Sequence, residues 1–127
     1  MHFSKVSISL DATSKLRSLR QRTGLTPNLL CRFGLMLSLE EGPVGTVRAP
    51  DQEGQEFNAY TLTGELNGVF ASLIRFVECE DEEGASLDDA EVLARMQAHI
   101  HRGVGTLAVR AKSPVDIARL GMNALAA

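Results

Sequence analysis

The chain has 127 residues, 44% of them hydrophobic and 23% charged, with a formal net charge of −3, which suits one globular domain with a real core and leaves little room for two. The lack of Trp and the single Tyr remove the aromatic stacking platforms on which single-strand and RNA binders rely, and no apolar run is long enough to span a bilayer or to form the core of a signal peptide. A soluble, cytoplasmic protein is expected.

The charge is unevenly placed. Residues 1–34 carry six basic side chains against one acid, and residues 49–98 carry two against twelve. Either a polyanion meets the N-terminal part, or the two signs mark two solvated faces.

Lys5-Val6-Ser7-Ile8-Ser9-Leu10 alternates strictly. The alternation predicts a half-buried strand, with Val6, Ile8 and Leu10 inward and Lys5, Ser7 and Ser9 outward. Asp11 is the expected cap of a helix over residues 12–22. Its apolar stripe is Ala12, Leu16 and Leu19, and Lys15, Arg17, Arg20 and Arg22 occupy the remaining surface.

Gly24 sits where a helix C-terminus wants a residue tolerant of positive φ, Thr26 is a good N-cap, and Pro27 fits a first helical position. From residue 29 to 39 only Arg32 and Ser38 are clearly polar. A helix so apolar needs cover on several sides, and in a chain this short part of that cover is expected from another subunit. The expected oligomer contacts are Gly24, Leu29, Leu30, Phe33, Gly34 and Leu37, the glycines because close packing there leaves no room for a side chain.

Strand, helix, turn and capped helix is the order of a ribbon-helix-helix module. There two chains pair their first strands and present outward side chains to a major groove, while the second helix's N-terminus grips a phosphate. Here Lys5, Ser7 and Ser9 would face the DNA, and Thr26 and Asn28 the phosphate. A sequence-specific regulator of this type is one reading of the N-terminal half. The strand has no ladder partner nearby, so a later strand or a second chain must pair with it.

Breakers at Gly42-Pro43, Gly45, Pro50 and Gly54 predict a loop or weak hairpin around Val44, Val47 and Phe57. A helical period returns over residues 60–77, with Leu62, Leu66, Val69, Phe70, Leu73, Phe76 and Val77 on one face and Thr61 or Thr63 as cap. Glu78-Cys79-Glu80-Asp81-Glu82-Glu83 reads as a solvated acidic run, since neighbouring carboxylates on a helix end diverge and lack EF-hand spacing. Ser86 with Asp89 resembles a capping box before a helix over 87–109 that Gly103 and Gly105 end or kink. Ser113-Pro114 starts a last short helix. The fold class is therefore mainly α in one domain over residues 1–127: a short N-terminal strand, a ribbon-helix-helix-like first half and additional C-terminal helices.

Catalytic chemistry is hard to find. His99 and His101 diverge by about 200° if helical, and with one further imidazole and no Cys pair a zinc site is not expected. Walker A and Gly-x-Gly-x-x-Gly patterns are missing. A small DNA-processing enzyme would have to use Cys31 or the histidine pair. Cys31 lies in the most apolar helix, where a thiolate is disfavoured, so both it and Cys79 read as reduced core thiols. No cofactor, metal or catalytic residue is expected.

Several pieces resemble, in order and at compatible spacing, the DndE family of DNA sulfur modification proteins. They are Leu19-Arg20-Gln21-Arg22-Thr23-Gly24, Thr26-Pro27-Asn28, Leu30-Cys31-Arg32, Ser38-Leu39-Glu40-Glu41, Glu56-Phe57-Asn58, Tyr60-Thr61-Leu62, Gly64-Glu65, His99-Ile100 and Arg102-Gly103. The resemblance implies a small DNA-binding and scaffolding role in phosphorothioation, in which sulfur replaces a non-bridging oxygen of the DNA backbone. It implies a mostly helical tetramer that binds duplex DNA with a preference for nicks, beside a cysteine desulfurase, an iron–sulfur sulfur-transfer enzyme and an ATPase. The implied basic contacts are Lys15, Arg17, Arg20, Arg22 and Arg32, and Lys5 joins them from the strand. Many members carry Lys where this first helix has Arg, which keeps the charge, and they tend to have a basic residue at the place of Ala59.

Overall fold

The computed structural model describes residues 4–78 and 87–126. A three-residue strand β1 (Lys5–Ser7) leads into α1 (Leu10–Thr23) and α2 (Pro27–Glu41). After an irregular segment come β2 (Glu56–Asn58), α3 (Ala59–Thr63) and, past a 3-10 turn at Gly64–Leu66, α4 (Asn67–Glu78). The long α5 (Asp89–Arg110) and α6 (Pro114–Ala126) complete the chain.

The turn between α1 and α2 forms as its residues dictate. Gly24 closes α1 at φ 75°, its N–H bonding Arg20 O, and Pro27 opens α2 with Thr26 at the N-cap position, although the Thr26 hydroxyl turns to Asn28 Oδ1 and makes no capping hydrogen bond. The start of α1 differs from expectation. Ser9, not Asp11, is the N-cap, and its hydroxyl accepts from Ala12 N. The strand alternation therefore stops at Ile8. Val6 and Ile8 are buried, whereas Leu10 turns into the helix and is 53% exposed.

β1 does find its partner within the chain. It pairs antiparallel with β2 in the register Lys5↔Asn58, Val6↔Phe57, Ser7↔Glu56, and Ile8 extends the pairing to Gln55 and Gly54. On the other side of the strand, Gln97 Nε2 of α5 donates to Ser7 O at 2.9 Å. Strand, helix, turn and helix follow in the expected order, but the two-chain ribbon is replaced: β1 pairs within its own chain and Gln97 engages its other edge. Of the three side chains expected to face DNA, Ser9 is buried and Ser7 half-buried. Lys5 alone is exposed, and it lies 3.8 Å from Glu56 across the ladder.

α2 packs along α5 at the centre, and two glycines set the distance. A Cβ on Gly34 would come within 2.9 Å of Val104 N, and one on Gly103 would overlap the carbonyl of Gly34. Gly103 thus permits the approach of two backbones and does not end α5, which runs on to Arg110. Leu30, Cys31, Leu35, Met96, Ile100, Val104 and Leu107 fill the interface region of the core, with Ile8, Leu16 and Leu19 from the N-terminal elements.

The helix expected over 60–77 is broken. Asn58, not a threonine, caps α3 by accepting from Tyr60 N and Thr61 N, and Gly64 at φ 60° turns the chain before α4. Phe70, Ala71 and Ile74 face inward, while Leu66, Val69 and Phe76 stay exposed. At the next helix Asp88 is the cap, accepting from Glu91 N. The acidic run after Glu78, Cys79 and the Ser86 cap lie outside the described residues.

Candidate nucleic-acid interface

The basic residues of α1 fall on two edges of the helix. At about 100° per residue, Lys15 and Arg22 share the edge beside α5, and Arg17 and Arg20 share the opposite one. Lys15 Nζ is held by Asp11 at 2.6 Å, one turn back. Arg22 Nη1 donates to Ala108 O of α5 at 3.3 Å, and Lys112 Nζ donates to the same carbonyl at 3.2 Å. The two cations so converge where α1 and α5 end together. Lys112 was not among the expected contacts, although the surplus of basic residues after position 98 was readable.

Arg17 and Arg20 are exposed, and among the described residues no hydrogen bond or ion pair engages either of them. Arg17 borders a shallow depression with Leu10, Thr13 and Gln55. These are the uncommitted positive charges of the helix.

Arg32 has a different occupation. Its Nε donates to Leu62 O at 2.5 Å and its Nη2 to Thr61 O at 3.2 Å, carbonyls at the end of α3, where a cation complements the helix dipole. The N-terminus of α2 is also partly used, since Thr26 Oγ1 bonds Asn28 Oδ1 at 2.5 Å and Asn28 Nδ2 donates to Thr61 O at 3.3 Å.

The six expected oligomer contacts separate. Leu30 and Gly34 lie inside the chain's own core against α3 and α5, so neither presents surface to another copy. Gly24 serves the helix end. Leu29 is 36% and Phe33 41% exposed, joined by Met36 at 41%. Phe33, Met36 and the half-buried Leu37 border an apolar groove completed by Leu107 and Leu120.

A polar cluster that the sequence did not reveal is buried between α2, α4 and α5. Arg102 Nε donates to Ser38 Oγ at 2.8 Å, and its Nη2 donates to Ser38 O and Gly42 O at 2.7 and 2.6 Å, closing the C-terminal end of α2. Ser38 Oγ lies 2.7 Å from His99 Nδ1. His99 Nε2 is 3.3 Å from Glu78 Oε1, close but not aligned for a hydrogen bond. Glu78 also accepts from Val44 N at 3.1 Å and lies 3.7 Å from Arg95. Burial pushes the His99 pKa down, against the opposing pull of Glu78.

Burial pushes the Cys31 thiol up to about 12, so it is protonated at neutral pH and packs as a core side chain. Among the described residues no three His, Cys, Asp or Glu side chains are grouped to hold a metal, and no helix is long and apolar enough to cross a membrane.

Comparison with known proteins agrees with the fold. The family model described as DNA sulphur modification protein DndE matches residues 5–114. The crystal structure of DndE from Escherichia coli B7A, involved in DNA phosphorothioation modification, superposes with a TM-score of 0.66 at 20% identity. It covers 84% of this chain and 98% of its own. A crystal structure of a DndE mutant with two glycines replaced by lysine, also involved in DNA phosphorothioation, gives a TM-score of 0.65 at 18% identity, covering 84% and 99%. No curated protein sequence matches significantly.

Proposed function

Because the chain belongs to the DndE family of DNA sulphur modification proteins, we propose that it is a non-catalytic, DNA-binding and scaffolding member of a cytoplasmic phosphorothioation system. In this reading it binds duplex DNA, preferentially at nicks, and works beside the sulfur-transfer enzyme and the ATPase of that system. The observation that carries the reading is the free state of Arg17 and Arg20 among the described residues. Arg22 and Lys112, sharing one carbonyl at the end of α1 and α5, add a second concentration of charge. Phosphate contacts of this kind position a protein without reading bases.

The test is the double variant Arg17→Glu/Arg20→Glu, measured on intact and nicked duplexes over a range of salt. For each phosphate no longer neutralised, the slope of log affinity against log salt should fall by about 0.9, with little change in sequence preference. A double variant matching the parent in both affinity and slope would sink the reading.

The same proposal includes assembly into a homo-oligomer, a tetramer, through the exposed stripe Leu29, Phe33 and Met36. A face with three large apolar side chains along successive turns is the kind of surface a second copy covers. Light scattering on the full chain at micromolar concentration tests this, and a stable monomer would refute it.

A further inference from the structure

Away from the outer edge of α1, a solvent-open cavity of about 480 Å³ lies between α1, α5 and the segment after α2. Lys15, Arg48, His101 and Arg102 line it together with Val44 and Val47, and among the described residues no acidic side chain does. The carboxylates that pair with these cations are held outside the wall. Asp11 takes Lys15, Glu91 takes Arg48 Nη2 with both oxygens at 2.9 and 2.8 Å, and Glu41 lies 3.3 Å from Arg102. Each pairing fixes the position of its cation. Among the described residues Lys15 Nζ and Arg48 Nε keep unused N–H groups, although Arg48 Nη1 donates to Gly45 O at 3.3 Å, whereas Arg102 already donates to Ser38, Gly42 and Pro43 and adds chiefly its charge.

His101 adds an imidazole held in a fixed orientation. Ser9 Oγ accepts from Ala12 N at 3.1 Å and lies 2.7 Å from His101 Nδ1. The Ser9 hydroxyl thus ties the imidazole to the first turn of α1. With Nδ1 turned to Ser9, Nε2 is the ring nitrogen without a partner among the described residues, on a side chain that lines the cavity. Gly105 keeps the wall low on the side of Lys15: a Cβ there would stand 3.8 Å from Lys15 Nζ.

Converging cations beside an oriented imidazole, with no carboxylate in the wall among the described residues, suit a tetrahedral oxyanion. We propose that this cavity binds a phosphate group, either free or carried on the end of a nucleotide chain. Val44 and Val47 leave an apolar margin for the organic part of a phosphate ester. Arg17 and Arg20 do not line the cavity, so the site stands or falls separately from the duplex-binding surface proposed above.

The experiment is a titration of the full chain at fixed pH, followed by the ¹⁵N resonances of the His101 ring. The probes are inorganic phosphate, a 5′-phosphorylated dinucleotide and the same dinucleotide without its phosphate. Saturable shifts of Nε2 with both phosphorylated probes show that the phosphate alone suffices; shifts with the phosphorylated dinucleotide alone assign the source to a nucleic-acid end. Equal shifts with the unphosphorylated dinucleotide, or no shift with any probe, overturn the proposal. Arg48→Gln should weaken phosphate binding about tenfold, as the loss of one charge-assisted hydrogen bond does. Arg17→Glu/Arg20→Glu should leave it unchanged. If Arg48→Gln fails to fold, the titration of the parent chain still decides.

Discussion

Between α2, α4 and α5 the protein gathers Ser38, Glu78, Arg95, His99 and Arg102 around one another. Along the outer edge of α1 it leaves Arg17 and Arg20 with no partner among the described residues. The first group is engaged mostly from within, His99 Nε2 alone lacking an aligned partner, so removal of a member strands a buried neighbour and is felt as stability. The second has no internal partner, so its removal is felt by whatever binds outside. Charge in this chain thus does two kinds of work, and the structure separates them residue by residue.

The sharpest way to break the contrast is inside. Glu78→Ala leaves Arg95 and two backbone N–H groups facing an empty site and should destabilise the fold by about 3–5 kcal/mol, read from urea unfolding. A loss below about 1 kcal/mol, on the order of a surface pair, would place Glu78 with the solvated charges.

The apolar face of α2 is a third region, and a smaller effect is expected there. Phe33→Glu should weaken self-association by about 2 kcal/mol for each interface in which the ring is buried, seen as dissociation by light scattering, with the monomer's fold intact. Unfolding instead of dissociation would mean that Phe33 supports its own chain.

Acidification tests the cluster without mutation. Burial holds the folded His99 pKa below its ordinary 6.5, so the unfolded chain takes up a proton that the folded chain refuses. The contribution of His99 to stability is fully present above 6.5 and is lost progressively as pH falls below it. The urea midpoint should drop between about pH 7 and pH 5.5, and His99→Gln should flatten that dependence. An equal slope in the variant would assign the proton uptake to another group.

The smallest effect belongs to the free arginines. Arg17→Gln and Arg20→Gln should each change stability by no more than about 0.5 kcal/mol, checked by thermal melting. A larger loss would show that the edge of α1 supports the fold.

Local chemistry was legible where neighbours in sequence decide the outcome. Gly24, Thr26 and Pro27 determine the α1–α2 turn between them, and the alternation from Lys5 to Ile8 marks β1. The partner of β1 was not legible, because β2 has three residues and lies about fifty positions away. The break after α3 was hidden for a different reason: the apolar period runs through Gly64, and only its φ of 60° shows that the chain turns. Ser38, Glu78 and His99 come from three helices, so no spacing in the sequence unites them. For the basic residues the sequence shows charge but not occupation. Arg17 and Arg32 look alike until Leu62 O and Thr61 O are seen to hold one of them.

The approach of Gly34 to Gly103 limits how this protein can vary. At most helix crossings a larger residue on one side is offset by a smaller one opposite. Here each added Cβ would strike the facing main chain, not the facing side chain alone, so no compensating change on the other helix makes room. The two positions are independent vetoes on substitution. The spacing they enforce is therefore insulated from drift in the surrounding leucines and valines, and with it the reach of Arg102 to the end of α2 and of Ser38 to His99.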